Sequence, residues 1–220
     1  MFQFATTCVD NFFKYPDSIR KFAETLEYKP EPKGMWSGKR TAPLNAIAPS
    51  FYNAVCKKYL QCHFSTPMIG YNAVAHFQKV DAESNNGWIH NDTPHLHTCL
   101  IYLTPDPNLN SGTSIFRPKQ DASPMLTTRY GSTKKRDFNL GKIDAKEAEK
   151  FRVESNNDFE EIIRFANVYN RCIGFDASNW HSANEYAQKK DKTSRLTLII
   201  FWNEIVSGQT EIQRSHMQII

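Results

Sequence analysis

The stretch SRLTLIIFW, residues 194–202, carries the pattern that decides the fold class. Side chains of a β-strand point to opposite faces in turn, so this stretch predicts one apolar face and one mixed face. The apolar face comprises Leu196, Leu198, Ile200 and Trp202. The mixed face comprises Arg195, Thr197, Ile199 and Phe201. A buried guanidinium is costly unless its charge is met, so Arg195 marks either a site for an anion or a strand edge that reaches water.

Similar short segments, rich in β-branched and aromatic residues, recur between turn residues along the chain. The strands are predicted at residues 72–80, 88–90, 98–103, 113–116, 168–175 and 196–202. Many short strands separated by turns are typical of an all-β sandwich or barrel. The sequence therefore predicts a mainly β domain.

Helices are expected before this β core. Residues 10–28 repeat apolar side chains at helical spacing, and residues 50–59 form a second candidate helix. The stretch 29–50 is rich in Pro and Gly and is interpreted as loop. We expect residues 1–70 to be a helical N-terminal support for the core.

A polar segment at about residues 119–167 interrupts the predicted strands and is interpreted as an insertion. Helices are expected within it at residues 144–151 and 158–165. Residues 206–220 are interpreted as a polar tail. The 220 residues suit a single domain with a sizeable core.

Composition indicates which partners and which cellular compartment to expect. The net charge of +4 is mild for a dedicated nucleic-acid binder, so nucleic acid is not the expected partner. No apolar run approaches the roughly 18 residues that span a membrane, and residues 1–9 have no basic leader. The five scattered cysteines form no C-x-x-C pair, which favours a reducing cytoplasm. The densest basic cluster, Lys134-Lys135-Arg136, is interpreted as a solvated loop, with phosphate contact as the alternative.

The sequence His90-Asn91-Asp92 follows the short predicted strand at residues 88–90. Because side chains two apart on a strand share a side, His90 and Asp92 can converge on one cation. A third candidate ligand, His181, is expected in a turn at residues 179–182, between two predicted strands. Two imidazoles and one carboxylate that leave coordination positions open suit non-haem Fe(II).

Six motifs in order resemble the 2-oxoglutarate/Fe(II)-dependent oxygenase superfamily, and its prolyl-hydroxylase-like branch in particular. They are HND at 90–92, TCLIYL at 98–103, SGTSIFRP at 111–118, YNRCIGFD at 169–176, WHS at 180–182 and SRLTLIIFW at 194–202. The resemblance implies a double-stranded β-helix, or jelly roll, over residues 71–205. By the same resemblance, Fe(II) would be held at one mouth of this fold.

The resemblance also implies roles for individual residues. His90, Asp92 and His181 match the iron ligands. Arg195 matches the residue that binds the distal carboxylate of 2-oxoglutarate, with Thr197 beside it, and Tyr102 matches a tyrosine that hydrogen-bonds the same carboxylate. The implied reaction uses molecular oxygen, decarboxylates 2-oxoglutarate to succinate and CO₂, and hydroxylates an unidentified substrate, either a prolyl or other protein residue or a small molecule.

Several alternatives remain open from the sequence. His95 and His97 would bind zinc together with His90 in a competing interpretation, and His76 is interpreted as structural. Lys190 and Lys192 compete with Arg195 as the co-substrate anchor. The loop containing Trp36 and Arg40 is interpreted either as a lid over the site or as ordinary surface. The alternative function is a catalytically inactive jelly-roll or cupin-like metal-binding module.

Overall fold

Strands dominate the chain. The computed structural model describes residues 5–64, 68–81, 87–122, 124–186, 194–207 and 211–212. Its strands are β1 (Thr7–Val9), β2 (Lys29–Pro30), β3 (Lys39–Arg40), β4 (Met68–Val80), β5 (His97–Tyr102), β6 (Thr113–Pro118), β7 (Phe159–Phe165), β8 (Cys172–Asp176), β9 (Trp180–Ala183), β10 (Arg195–Ser207) and β11 (Glu211–Ile212). Its helices are α1 (Pro16–Glu24), α2 (Leu44–Ile47), α3 (Pro49–His63), α4 (Pro124–Asn139) and α5 (Ala145–Asn156), with a 3₁₀ turn at Leu109–Ser111.

The strands form two antiparallel sheets. The larger sheet has the order β1-β8-β5-β10-β4-β3-β2, and β11 pairs with β10. The smaller sheet has the order β7-β6-β9. Two antiparallel sheets with flanking helices are consistent with the jelly roll that the motifs implied.

The long strand β10 has the two faces predicted for it. Its apolar face, with Leu198 and Trp202, lies in one hydrophobic cluster with α1 and α3, to which α3 contributes Val55 and Tyr59. Its other face contributes Ile199 to a second cluster that reaches the smaller sheet through β6. Helices therefore cover one side of the larger sheet, and the smaller sheet covers the other.

Several sequence expectations were wrong at the level of single elements. The helix expected at residues 158–165 is strand β7, because pairing with β6 over six positions outweighs a local sequence that suits either state. The stretch 29–50 is not loop throughout, since it contains β2, β3 and α2. The first helix is shorter than residues 10–28 and begins at Pro16, a residue that favours the first helical turn.

The segment at about residues 119–167 contains two helices: α5 matches the helix expected at residues 144–151, whereas α4 was not expected from the sequence. Asp144 caps α5, because its Oδ1 accepts a 2.8 Å hydrogen bond from the N–H of Glu147. The basic cluster Lys134–Arg136 lies inside α4, which corrects its interpretation as a loop.

Two further observations concern the cysteines and the possibility of a membrane-spanning helix. All five cysteines are free thiols. In the part of the chain that the structure describes, no helix has both the length and the apolar character needed to cross a membrane.

Candidate metal centre and co-substrate pocket

Backbone pairing brings the two candidate histidine ligands together. The N–H of His90 donates a 3.0 Å hydrogen bond to the carbonyl of His181, and the N–H of His181 returns a 2.8 Å bond. His181 lies on β9, not in the turn that the sequence indicated, and His90 forms an isolated bridge instead of ending a strand. The relative position of the two residues is therefore set by the sheet.

The segment that leads to His90 is held by contacts that sequence reasoning missed. Asn156, at the end of α5, accepts a 3.0 Å hydrogen bond from the N–H of Ile89 and donates a 3.1 Å bond to the carbonyl of Gly87. A Cβ atom at Gly87 would lie 2.2 Å from the carbonyl oxygen of Ala183, so only glycine fits this close to β9. Asn156 lies far from the motifs in sequence, and no local pattern identifies it.

Both imidazoles are held in one tautomer. The Nδ1 atom of His90 lies 2.8 Å from the carbonyl of Trp88, and that of His181 lies 2.9 Å from the carbonyl of Asn179. A carbonyl only accepts, so each Nδ1 carries the hydrogen and donates it. Each Nε2 is then left with a free lone pair, which is the arrangement of metal-ligating histidines.

Asp92 faces both Nε2 atoms. Its Oδ1 lies 3.7 Å from Nε2 of His90, and its Oδ2 lies 3.3 Å from Nε2 of His181. The hydroxyl of Thr98 donates a 2.8 Å hydrogen bond to the same Oδ2. The N–H of Asp92 donates a 2.8 Å bond to the carbonyl of Ala177, which fixes the backbone.

Electrostatics prepare Asp92 and His90 for a cation. Burial alone would raise the pKa of Asp92, but His181, His90 and Thr98 hold it below its usual range, so the carboxylate stays ionised. Burial, together with the neighbouring His181 and Lys135, lowers the pKa of His90, so its imidazole stays neutral. A neutral imidazole and an ionised carboxylate are the states in which these two side chains bind a metal.

One ligand atom from each of His90, Asp92 and His181 lies within 4.8 Å of the other two, and no other such group of His, Cys, Asp or Glu occurs in the described part of the chain. The structure thus brings together the three residues that the sequence singled out. Two imidazoles and one carboxylate on one side of a cation suit Fe(II).

Arg195 begins β10 and is buried, with an exposed fraction of 4%. Its Nε and one terminal nitrogen, Nη2, are buried and have no hydrogen-bond partner among the described residues. The guanidinium carbon lies 5.3 Å from the centroid of the Tyr102 ring and 5.9 Å from that of Tyr186. An unmatched buried cation of this kind calls for an anion.

Tyr102 and Thr197 pair directly across β5 and β10, beside Arg195. The hydroxyl of Tyr102 donates a 2.9 Å hydrogen bond to Oγ1 of Thr113. Burial raises the pKa of Tyr102, although Arg195 and Thr113 act against it, so the hydroxyl stays protonated. The hydroxyl of Thr197 is buried and has no partner among the described residues.

Arg195 and the three candidate ligands line one inner cavity of about 90 Å³. A larger outer cleft of about 710 Å³ lies next to it and shares His90 and Asp92 with it. Arg195 therefore lines the same cavity as the candidate metal centre, as an anchor for a chelating diacid must. Tyr102 and Thr197 are not among the described residues that line this cavity.

The other histidines have different partners. Nδ1 of His95 lies 2.7 Å from Oδ1 of Asn203, and the ring stacks on Phe201. His97 is buried and hydrogen-bonds through Nε2 to the hydroxyl of Tyr59. Nδ1 of His76 lies 2.9 Å from the carbonyl of Thr41. These contacts agree with structural roles and leave the zinc alternative without support among the described residues.

Three residues outside the motifs border the inner cavity and the outer cleft, namely Trp36, Arg40 and Lys135. The loop with Trp36 and the second half of α4 therefore border the site. Burial lowers the pKa of Lys135 to about 8, and that of Arg40 to about 10, so both remain largely protonated at neutral pH.

The competing anchors Lys190 and Lys192 lie outside the described residues.

Comparison with known proteins places this fold. A family model described as "Family of unknown function (DUF6445)" matches residues 3–202. A search of curated proteins finds no match.

Among solved structures, the chain is similar to HygX from Streptomyces hygroscopicus with nickel and 2-oxoglutarate bound. The TM-score is 0.54 at 14% identity, covering 90% of this chain and 82% of that one. It is also similar to an oxidoreductase of the 2OG-Fe(II) oxygenase family from Burkholderia pseudomallei, with a TM-score of 0.52 at 11% identity, covering 90% of this chain and 84% of that one. The chain therefore shares its fold with HygX and with the Burkholderia oxidoreductase, in agreement with the superfamily that the motifs resemble.

Proposed function

This chain belongs to a family of unknown function, DUF6445, and from its site we propose that it is an Fe(II)- and 2-oxoglutarate-dependent oxygenase that hydroxylates an unidentified substrate. One observation carries the proposal. The cavity that holds the converging donor atoms of His90, Asp92 and His181 also holds a buried arginine with unpaired nitrogens. The first feature suits Fe(II), and the second suits a co-substrate carboxylate.

The donor set fits iron. The Nδ1 hydrogen bonds leave Nε2 of both histidines free, and Thr98 orients the carboxylate of Asp92. Three protein ligands leave positions open for a chelating co-substrate and for oxygen. A structural zinc site would use a fourth protein ligand, and no fourth His, Cys, Asp or Glu joins this group among the described residues.

The pocket also fits 2-oxoglutarate. Arg195 presents two unpaired nitrogens from a buried guanidinium, and a carboxylate accepts from such a fork with two parallel hydrogen bonds. Tyr102 and Tyr186 pack beside the guanidinium and restrict its orientation. The structure of HygX contains bound 2-oxoglutarate and is similar in fold to this chain, which supports the interpretation.

When bound, iron and 2-oxoglutarate would supply the oxidation, in which oxygen is consumed and succinate and CO₂ are released. The chain's own residues supply position and environment. Trp88 and Asn179 hold the two imidazoles through their carbonyls, and Arg195 fixes the far end of the co-substrate. The buried walls of the inner cavity, such as Leu100 and Ile199, exclude water from the reacting atoms. No side chain has to act as a titrating acid or base.

Binding and turnover together test this proposal. The full chain is stripped of metal and titrated by calorimetry with Mn(II), then with 2-oxoglutarate in the presence and absence of Mn(II). We expect one metal per chain and 2-oxoglutarate binding that depends on the metal. With Fe(II) and air, slow succinate formation should appear without added substrate. Metal binding with no affinity for 2-oxoglutarate would instead favour a cupin-like metal module.

A further inference from the structure

Two cations stand where the inner cavity opens into the outer cleft. Arg40 lies on β3, next to the edge strand β2 of the larger sheet, and Lys135 lies on α4. Both residues line the cavity and the cleft. They approach the candidate metal centre from different structural layers. A molecule that occupies the cleft therefore borders both residues.

Neither cation is paired with a carboxylate among the described residues. Nε of Arg40 is buried without a hydrogen-bond partner in that part of the chain. The carboxylates that act on Arg40 are those of Asp92 and Glu31. Glu31 already accepts a 2.6 Å hydrogen bond from the N–H of Met35, and Asp92 is the candidate metal ligand. Both acidic groups are thus committed elsewhere.

The charges of the proposed centre balance without these two residues. The charges of Fe(II) and Arg195 are matched by the two carboxylates of 2-oxoglutarate and by Asp92. Among the described residues that line the outer cleft, Asp92 is the only one with a carboxylate, whereas Arg40, Lys135 and Arg136 are cationic. The loaded cleft therefore keeps an excess of positive charge, which attracts anions.

Arg40 is also held in place. Its guanidinium carbon lies 4.3 Å from the ring centroid of Trp36 and 5.4 Å from that of Phe201. Stacking between two aromatic rings fixes the plane of the guanidinium, while its edge remains able to donate to an oxygen anion. The same rings offer an apolar surface for the body of a bound molecule.

We propose that the outer cleft binds a small anionic substrate whose carboxylate or phosphate group is held between Arg40 and Lys135. This inference rests on the proposed function, since it names the substrate class of the same site. The cleft volume of about 710 Å³ lies within the range of small-molecule sites, which span roughly 300–1,000 Å³. A small molecule is therefore favoured over an extended macromolecule.

The test uses the full chain loaded with Mn(II) and saturating 2-oxoglutarate. Phenyl phosphate and benzoate are the anionic probes, and benzyl alcohol is a neutral probe with a similar body. Calorimetry and tryptophan fluorescence measure binding to the wild type, Arg40→Gln and Lys135→Gln. Lys134→Gln is the matched control, because it removes the same charge from the next position of α4, where the Nζ of Lys134 lies over Phe151.

We expect at least one anionic probe to bind the wild type, and each cleft variant to weaken it at least tenfold. Benzyl alcohol should bind at least tenfold more weakly, and Lys134→Gln should match the wild type. Because Lys135 is on a helix and Arg40 is on a strand, a folding defect in one variant leaves the other informative. Circular dichroism checks that both variants are folded.

Three results would overturn the inference. The first is equal binding of the anions by the cleft variants and the wild type. The second is no binding of either anion up to millimolar concentration. The third is competition of the anions with 2-oxoglutarate, which would assign Arg40 and Lys135 to the co-substrate pocket. If 2-oxoglutarate itself fails to bind the Mn(II)-loaded wild type, the proposed function fails as well, so the two failures are distinguished.

Discussion

The guanidinium of Arg195 packs on the ring of Tyr102, at 5.3 Å from carbon to centroid, while the hydroxyl of Tyr102 is held at 2.9 Å from Thr113. The tyrosine is thus fixed at both ends, and it fixes the arginine in turn. A buried cation held in one orientation is prepared for one anion in one position.

Removal of this cation should separate co-substrate binding from metal binding. We expect Arg195→Ala to raise the apparent KM for 2-oxoglutarate about a hundredfold or more, because breaking a buried charge pair costs about 3–5 kcal/mol. Mn(II) affinity should be retained. The measurement is succinate formation against 2-oxoglutarate concentration. Lys190→Ala and Lys192→Ala are the controls and should be nearly silent. A near-normal Arg195→Ala curve with a large shift for either lysine would move the anchor away from β10.

The three candidate ligands should act as a unit. His181→Ala and Asp92→Ala each remove one of three bonds to the metal, so each should abolish 2-oxoglutarate-dependent succinate formation, with circular dichroism unchanged. Metal binding by calorimetry should fall in parallel. A folded His181→Ala protein that turns over at the wild-type rate would refute the ligand assignment.

Asn156 should influence the affinity for the metal without being a ligand. Asn156→Ala removes both hydrogen bonds to the segment at Gly87 and Ile89, which carries His90. Because loss of supporting contacts around metal ligands lowers affinity about 10- to 100-fold, we expect Mn(II) to bind about tenfold more weakly. The exposed neighbour offers a control, since Asn157→Ala should leave the affinity unchanged. Equal affinity of the two variants would show that Asn156 has no positioning role.

His95 and His97 should not contribute ligands. In the double variant His95→Gln/His97→Gln, we expect one metal per chain with little change in affinity. Thermal unfolding should show a loss of about 1 kcal/mol, because His97 gives up its buried hydrogen bond with Tyr59. Loss of the metal in this variant would restore the zinc alternative.

His63 should make the fold sensitive to acid. It stacks on Tyr59 at 4.0 Å, contacts Thr7 and Cys172, and its burial lowers its pKa to about 4. Between the ordinary value of about 6.5 and this pKa, the unfolded chain binds a proton that the folded chain does not. The contribution of His63 to the free energy of unfolding is therefore fully present above pH 6.5, and it is lost as the pH drops towards 4.

Because His63 is half-buried and screened by solvent, we expect a loss of about 1–2 kcal/mol across this range. Denaturant unfolding from pH 7 to pH 4 measures it, and His63→Gln should lose less over the same range. If the free energy of unfolding falls equally with pH in the wild type and in His63→Gln, the acid sensitivity comes from other groups.

The sequence predicted best where periodicity and burial agree. The two faces of β10 follow from alternation alone, and the structure places Leu198 among the helices and Ile199 towards the smaller sheet. The pairing of His90 with Asp92 also follows from local spacing. Convergence of His181 on them came from the resemblance, since nothing local specifies which distant strand lies opposite.

The failures have a common physical cause. Residues 158–165 form a strand because β6 pairs with them, and His181 lies on a strand because β6 pairs with β9, so both outcomes depend on a partner distant in sequence. Lys135 was interpreted as part of a solvated loop because a charged triplet is usually exposed. Its position at the cleft depends on how α4 packs against α5, which sequence periodicity does not encode.

The mutual backbone hydrogen bonds of His90 and His181 bear on which metal the proposed centre would take up in a living cell. Since backbone pairing holds the two imidazoles in register, the proposed centre would be preformed before metal binds, and an ion would be able to exchange without unfolding of the chain. Divalent copper and zinc bind nitrogen ligands more tightly than Fe(II), so a preformed site with two imidazoles would take up these ions as well. Any metal that co-purifies with the chain is therefore expected to reflect the supply of ions during expression, whichever ion supports turnover.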